Sequence, residues 1–179
     1  MSKLEGEKVE VLLTEEQLRA RIGEMADAIT RDYAGKPLKL VGVLKGSFVF
    51  LADLARAIDL PVKVDFIGTT SYQGTTSSGV VRITNDLSWP IAGEHVLLVE
   101  DIVDTGLTMK YLLSNLETRR PASVKVCALL QKPSRAKVEV PIAYKGFEIA
   151  DWFVVGYGLD WDGRLRSLPY IGVLRGRDG

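Results

Sequence analysis

The sequence predicts an α/β fold with a mostly parallel central sheet flanked by helices. Three observations predict it. Apolar runs of strand length alternate along the chain with segments of helical period. Val96-Leu97-Leu98-Val99 is apolar without alternation, as suits a strand buried on both faces. Acids, hydroxyls and lysines follow directly on such runs, and in open parallel sheets the carboxyl ends of strands bind ligands.

The elements follow in order. Residues 14–33 form a first helix: Thr14 to Gln17 has capping-box spacing, and Leu18, Ile22, Met25, Ala26 and Ile29 recur with helical period. Leu38 to Leu44 is a strand, Lys45-Gly46-Ser47 a turn, and Ser47 is placed to cap a second helix through about Ile58. Val62 to Thr69 is the next strand. Ser71 to Gly79, rich in Gly, Ser and Thr, is a loop, and Val80 to Thr84 a short strand. Trp89-Pro90 with Gly93 marks a turn. Then come strand 96–99, a helix over about 106–118, strand 123–130, a short strand near 152–155 and a loop-rich tail.

The chain has 179 residues, which suits one domain over 1–179 with an ordinary core and no staples. Lys plus Arg equals Asp plus Glu at 23 each, which argues against nucleic acid as the main partner. The single Cys127 lies in an apolar run and reads as a small buried residue. One cysteine excludes an intrachain disulfide framework and fits a reducing compartment. No segment approaches a membrane span, and the charged N-terminus lacks an apolar signal core, so the cytoplasm is the expected location. There is no His/Cys cluster for zinc and no Walker loop. His95, the only histidine, precedes a buried strand and is assigned a structural place.

The most informative stretch is Glu100-Asp101-Ile102-Val103-Asp104-Thr105-Gly106-Leu107-Thr108. Glu100 and Asp101 fall where strand 96–99 leaves the sheet, and their carboxylates suit sugar hydroxyls or a cation. The Thr-Gly-x-Thr turn opens a helix, where N–H groups and hydroxyls can cradle a phosphate. Together they fit a sugar phosphate. Three acids in five residues repel one another unless something positive sits among them. Lys45-Gly46, at the end of strand 41–44, can offer a cation and close backbone N–H groups to an anion.

The acid-acid-apolar-apolar-acid-Thr-Gly order resembles the phosphoribosyl-pyrophosphate signature of the type I phosphoribosyltransferases. The resemblance extends from about residue 9 to 175 and is nearest to the hypoxanthine-guanine members. It implies their fold, with a small hood from the terminal segments over the sheet. It also implies purine salvage: transfer of a phosphoribosyl group to hypoxanthine or guanine, giving IMP or GMP and pyrophosphate, with Mg2+. Glu100, Asp101, Asp104, Thr105, Gly106, Leu107 and Thr108 match the phosphoribosyl and 5′-phosphate site, with Asp104 as general base at the purine N7. Lys45 and Gly46 match the pyrophosphate loop, where the Leu44-Lys45 peptide can be cis. Arg166 matches a pyrophosphate arginine, with Arg164 a nearby competitor. Lys132, Phe153, Val154 and Asp160 match the purine side: a donor to the 6-oxo group, a stacking ring, a backbone contact and a carboxylate near the metal. A lysine has donors only, so it suits a 6-oxo group and not a 6-amino group. Glu100, Asp101 and Asp160 are the expected metal residues, and Ser71-Tyr72 the start of a closing loop.

Leu107 departs from the pattern, since several relatives carry lysine there; Trp152 replaces a polar residue. The family is usually dimeric or tetrameric, and Phe48, Phe50 and Leu51 are candidates for an apolar surface. Two other readings compete. A regulatory protein on this fold would need a basic face or an added DNA-binding domain, and the neutral charge counts against it. The other is an enzyme for another base, such as xanthine or a pyrimidine: Lys132 with Phe153 favours a 6-oxopurine, and hypoxanthine, guanine and xanthine differ at an edge that backbone groups read.

Overall fold

The computed structural model describes residues 8–71 and 81–175. In chain order the elements are β1 (Val9–Leu13), α1 (Glu15–Asp32), β2 (Leu38–Leu44), α2 (Phe48–Ala57), β3 (Lys63–Ser71), β4 (Val81–Asn85), β5 (His95–Val103), α3 (Leu107–Glu117), β6 (Ser123–Gln131), β7 (Ile142–Glu148), β8 (Val154–Val155) and β9 (Ile171–Leu174). A 3-10 turn spans Pro133–Arg135. The main sheet runs β4-β3-β2-β5-β6-β7, and β1-β9-β8 form a separate three-stranded sheet. All pairings in the main sheet are parallel except β3 with the edge strand β4.

The unbroken apolar runs of β5 and β6 are explained by helices on both faces. Successive strand residues point to opposite faces. Leu97, Val99, Cys127 and Leu129 pack in one core with Leu18 and Ile22 of α1 and Leu51 and Leu54 of α2. Val96, Leu98, Val126 and Ala128 meet Met109, Leu112 and Leu116 of α3 on the other face. α1 starts as expected: Thr14 Oγ1 accepts from Gln17 N at 3.3 Å, and Gln17 Oε1 accepts from Thr14 N at 2.9 Å. Its buried stripe is Leu18, Ile22, Met25, Ala26 and Ile29.

Ser47 stands at the start of α2 but does not cap it. Its backbone is already helical (φ −73, ψ −6), whereas a capping side chain needs an extended backbone. The hydroxyl instead donates back to the Val43 carbonyl at 2.7 Å. Of the three apolar surface candidates, only Phe48 is exposed; Phe50 and Leu51 face the core. Residues 72–80, most of the expected loop, lie outside the described residues.

β1, β7 and β9 had no clear signal in the sequence. β1 and β9 are short, and each gains its place by pairing across the length of the chain, Val9 with Leu174 and Glu10 with Val173. β7 is an edge strand, and Lys145 and Gly146 break its apolar pattern in the sequence. The sheet β1-β9-β8 is the hood, built from both terminal segments. His95 has a structural place, its Nδ1 2.7 Å from Ser123 Oγ and its ring edge-on to Tyr33. No helix among the described residues is long and apolar enough to cross a membrane.

Cys127 is fully buried in β6, between β5 and β7, and burial pushes its thiol well above the usual range. A neutral thiol reagent at pH 8 should therefore label native protein only at the rate of unfolding, and label denatured protein promptly. Fast labelling of folded protein would contradict this packing.

Candidate functional site

From β2 the chain passes to β3 on one side of the sheet; from β5 it passes to β6 and β7 on the other. The crevice at the carboxyl ends of β2 and β5 is thus the point where strand order reverses. The β2–β5 ladder ends at Gly42 opposite Val99. The β5–β6 ladder continues to Val103 opposite Gln131. This corrects the expected strand 96–99: Glu100 and Asp101 lie inside β5, not beyond it. One neighbouring strand is lost at Val99, not both. The two acids are therefore held rigidly by β6 while they line the gap that β2 leaves.

A cavity of about 700 Å³ occupies this crevice. Its walls include Lys45, Gly46, Glu100, Asp101, Asp104, Thr105, Gly106, Thr108, Lys132, Phe153, Val154, Asp160 and Arg166. Segments separated by more than a hundred residues thus meet in one wall. Leu107 is not part of the wall; its N–H is directed at Thr105 Oγ1, 3.4 Å away. Ser71 ends β3, and Tyr72 lies outside the described residues. Of the competing arginines, Arg166 lines the cavity, while Arg164 lies over the Trp161 ring at 4.3 Å.

At the turn from β5 to α3, Gly106 caps the helix with φ +82, a conformation that favours glycine. Thr105, Gly106, Thr108 and Met109 line the cavity, so the start of α3, where helical N–H groups lack intrahelical partners, borders it.

The Leu44-Lys45 peptide is cis. Gly46 packs on the acid pair so closely that a Cβ there would stand 1.7 Å from Asp101 Oδ2. On its other side, the Gly46 carbonyl touches Gly158, where a Cβ would meet it at 2.0 Å. The loop after β2 is clamped between β5 and the hood.

Glu100 and Asp101 are buried, 7% and 9% exposed, and make no ion pair among the described residues. Burial, then the neighbouring Asp101 charge, pushes the Glu100 carboxyl well above the usual range. Burial also raises Asp101, against hydrogen bonds and the Arg166 charge, which act to lower it. For an acid raised in this way the fold is most stable below the unfolded pKa, and it loses stability as pH rises toward the folded value. Glu100→Gln should therefore be more stable than the parent at pH 8, each kcal/mol adding about 2–4 °C to Tm. The gain should shrink as pH falls toward about 4. Equal Tm at pH 8 would mean the charge is already compensated.

Asp160 stands apart from that pair. It pairs with Arg166 Nη2 at 2.7 Å and accepts from Gly163 N at 2.7 Å. Arg166 Nη1 donates to the Gly158 carbonyl at 2.6 Å. The expected metal residues therefore do not form one cluster: among the described residues no three of His, Cys, Asp and Glu gather to hold an ion. This still fits Mg2+, a hard ion that takes one or two carboxylates and fills its shell with water and phosphate oxygens. The unpaired acids Glu100 and Asp101 suit it best.

Elsewhere in the cavity wall, Lys132 is buried, and its Nζ lies 3.3 Å from Asp151 Oδ1. Phe153 is 37% exposed, high for so large an apolar ring, and lines the cavity. Asp104 Oδ1 is paired with Arg135 Nε at 2.9 Å. Arg135 and Asp151 line the cavity and were missed in the sequence. Nothing in the local pattern marks Arg135; Asp151 stood out only by lying two residues before Phe153.

The comparisons agree with this geometry. The phosphoribosyl transferase domain family model matches residues 8–162. A hypoxanthine-guanine phosphoribosyltransferase from Mycobacterium avium is 52% identical over 94% of this chain and 87% of its own. A hypoxanthine phosphoribosyltransferase from Haemophilus influenzae is 51% identical over 92% of this chain and 94% of its own. The crystal structure of a hypoxanthine phosphoribosyltransferase from Staphylococcus aureus superposes with TM-score 0.89 at 46% identity, covering 93% of this chain and 91% of that one. With a switch-point cavity that gathers the acidic signature, the Lys-Gly loop and the hood, and with half its residues shared with such relatives, the chain belongs to the phosphoribosyltransferase family, in its hypoxanthine-guanine branch.

Proposed function

We propose that the protein transfers the 5-phosphoribosyl group of phosphoribosyl pyrophosphate to N9 of hypoxanthine or guanine, releasing pyrophosphate, as a step of purine salvage. One observation carries this reading. A single cavity holds both a turn suited to a sugar phosphate and, opposite it, a buried lysine and an exposed aromatic face suited to a 6-oxopurine.

Each residue then has a role. Thr105, Gly106 and Thr108 with the α3 N-terminus hold the 5′-phosphate. Glu100 and Asp101 orient the ribose hydroxyls. Lys45, Gly46 and Arg166 hold pyrophosphate, the guanidinium through its fork of donors. Phe153 stacks on the base, the Val154 backbone meets its edge, and Lys132 donates to the 6-oxo oxygen. A 6-amino group there would leave a buried donor facing a donor, a cost of about 1–3 kcal/mol. Asp104 takes the proton from the purine as an oxocarbenium-like centre develops at C1 of the ribose. Mg2+, held by Glu100, Asp101 and substrate oxygens with Asp160 nearby, would offset charge on the leaving pyrophosphate. Leu107 contributes through its position in the turn, and Ser71-Tyr72 begins the cover that excludes water.

The chain acts as one domain over 1–179, a reading supported by the β1–β9 pairing that joins its two ends. It works in the cytoplasm, which the lone unpaired Cys127 favours. It assembles as a homodimer or homotetramer, for which Phe48, exposed just after the pyrophosphate loop, is a contact candidate.

The test is initial rates of pyrophosphate release with phosphoribosyl pyrophosphate and Mg2+, against hypoxanthine, guanine, xanthine and adenine separately. Turnover with 6-oxopurines and not adenine is the expected result, and the ranking names the substrate. Folded protein that binds phosphoribosyl pyrophosphate but turns over no base would replace this reading with that of a sensor.

A further inference from the structure

We propose that Asp151 and Arg135 are positioning residues that tie the purine-selecting Lys132 to the general base Asp104, so that base recognition and proton transfer act as one unit. This rests on the function proposed above. Asp151 uses both carboxylate oxygens: Oδ1 lies 3.3 Å from Lys132 Nζ and Oδ2 lies 3.4 Å from Arg135 Nη1. Arg135 also uses two nitrogens, its Nε reaching Asp104 Oδ1 at 2.9 Å. The chain of ion pairs Lys132–Asp151–Arg135–Asp104 therefore spans three separate segments. These are the end of β6 with its 3-10 turn, the loop before β8, and the turn between β5 and α3.

The chemistry at each link favours positioning. Lys132 is a flexible stem carrying a buried ammonium. An ammonium there needs a fixed counter-charge, and Asp151 supplies it while leaving Lys132 two further donors for the base. Arg135 has a planar fork that can hold two carboxylates at a set angle, which a lysine cannot. Three of the four side chains are partly exposed, 38% to 48%, so water screens these pairs before substrate enters. A purine stacked on Phe153 would displace that water and strengthen each link.

The experiment is steady-state kinetics of Asp151→Asn and Arg135→Gln with hypoxanthine and phosphoribosyl pyrophosphate varied in turn, with adenine as competitor and Tm as a check on folding. Asp151→Asn should raise KM for hypoxanthine about tenfold and narrow the preference over adenine by a similar factor, with KM for phosphoribosyl pyrophosphate unchanged. Arg135→Gln should lower kcat about tenfold with little change in either KM. Combined, the two should lose less than the product of the single effects, because they act through one network. Unchanged constants, or equal rises in both KM values with a fallen Tm, would overturn the positioning role while leaving the proposed function standing. A parent protein with no 6-oxopurine turnover would overturn both.

Discussion

Asp104→Asn is expected to fold, to bind nucleotide nearly as well as the parent, and to turn over about 10²–10⁴-fold more slowly. The asparagine has the same shape, so the turn between β5 and α3 should keep its course and the phosphate cradle its place. What disappears is a carboxylate of the cavity wall which, in the proposed reaction, takes a proton as the bond to ribose forms. That factor corresponds to about 2.7–5.5 kcal/mol of transition-state stabilisation. Binding draws mainly on other groups: Thr105, Thr108 and Phe153 line the cavity, and Lys132 keeps its own counter-charge in Asp151. The expected signature is thus a kcat effect with product affinity within about threefold, read by single-turnover rates and by calorimetry with IMP or GMP. A mutant with unchanged turnover would remove Asp104 from the chemistry; one that no longer binds nucleotide would make it a binding residue.

The second large effect is expected at Gly46. A methyl group there would stand 1.7 Å from Asp101 Oδ2, far inside van der Waals contact. Neither side can yield cheaply. Asp101 lies in β5, within the β6 ladder, and its own Oδ1 accepts from Ile102 N at 2.9 Å. The loop is backed by Gly158 on the hood, at a distance no side chain would fit. Gly46→Ala must therefore displace either the Lys45-Gly46 loop or the Asp101 carboxylate, proposed above to hold pyrophosphate and the ribose. Misplacement by about 1 Å at such a centre can cost about 10²-fold in rate. The loss should appear in kcat/KM for phosphoribosyl pyrophosphate, with stability changed far less, since the loop borders a cavity rather than the core. Parent-like kinetics for Gly46→Ala would show that the clamp is loose in solution.

Much of the site was legible because its residues announce themselves locally. Glu100 to Thr108 carries its acids, threonines and glycine in nine consecutive positions. Lys45-Gly46 and Lys132 each follow an apolar strand, so the parallel-sheet rule alone brings them to one end. Arg135 and Asp151 were not legible. Each is an ordinary charged residue on an exposed segment, and its meaning lies in partners 16 to 31 residues away along the chain. Phe50 and Leu51 were misjudged as surface because a short helix after a turn does not say which side will be covered; α2 turns both inward.

By itself, the sequence determined what depends on neighbours in the chain: the capping box and buried stripe of α1, the doubly buried β5 and β6, the glycine turn into α3, and the order of the chemical motifs. Tertiary structure alone decided the length of β5 past Val99, the joining of β1 to β9 into a hood, the press of Gly46 on Asp101, and the ion-pair chain from Lys132 to Asp104. The physical reason is the range of the forces involved. Helix caps and side-chain periodicity act over a few residues, whereas strand endings, steric clamps and ion pairs are settled by which distant segments the sheet order brings into contact.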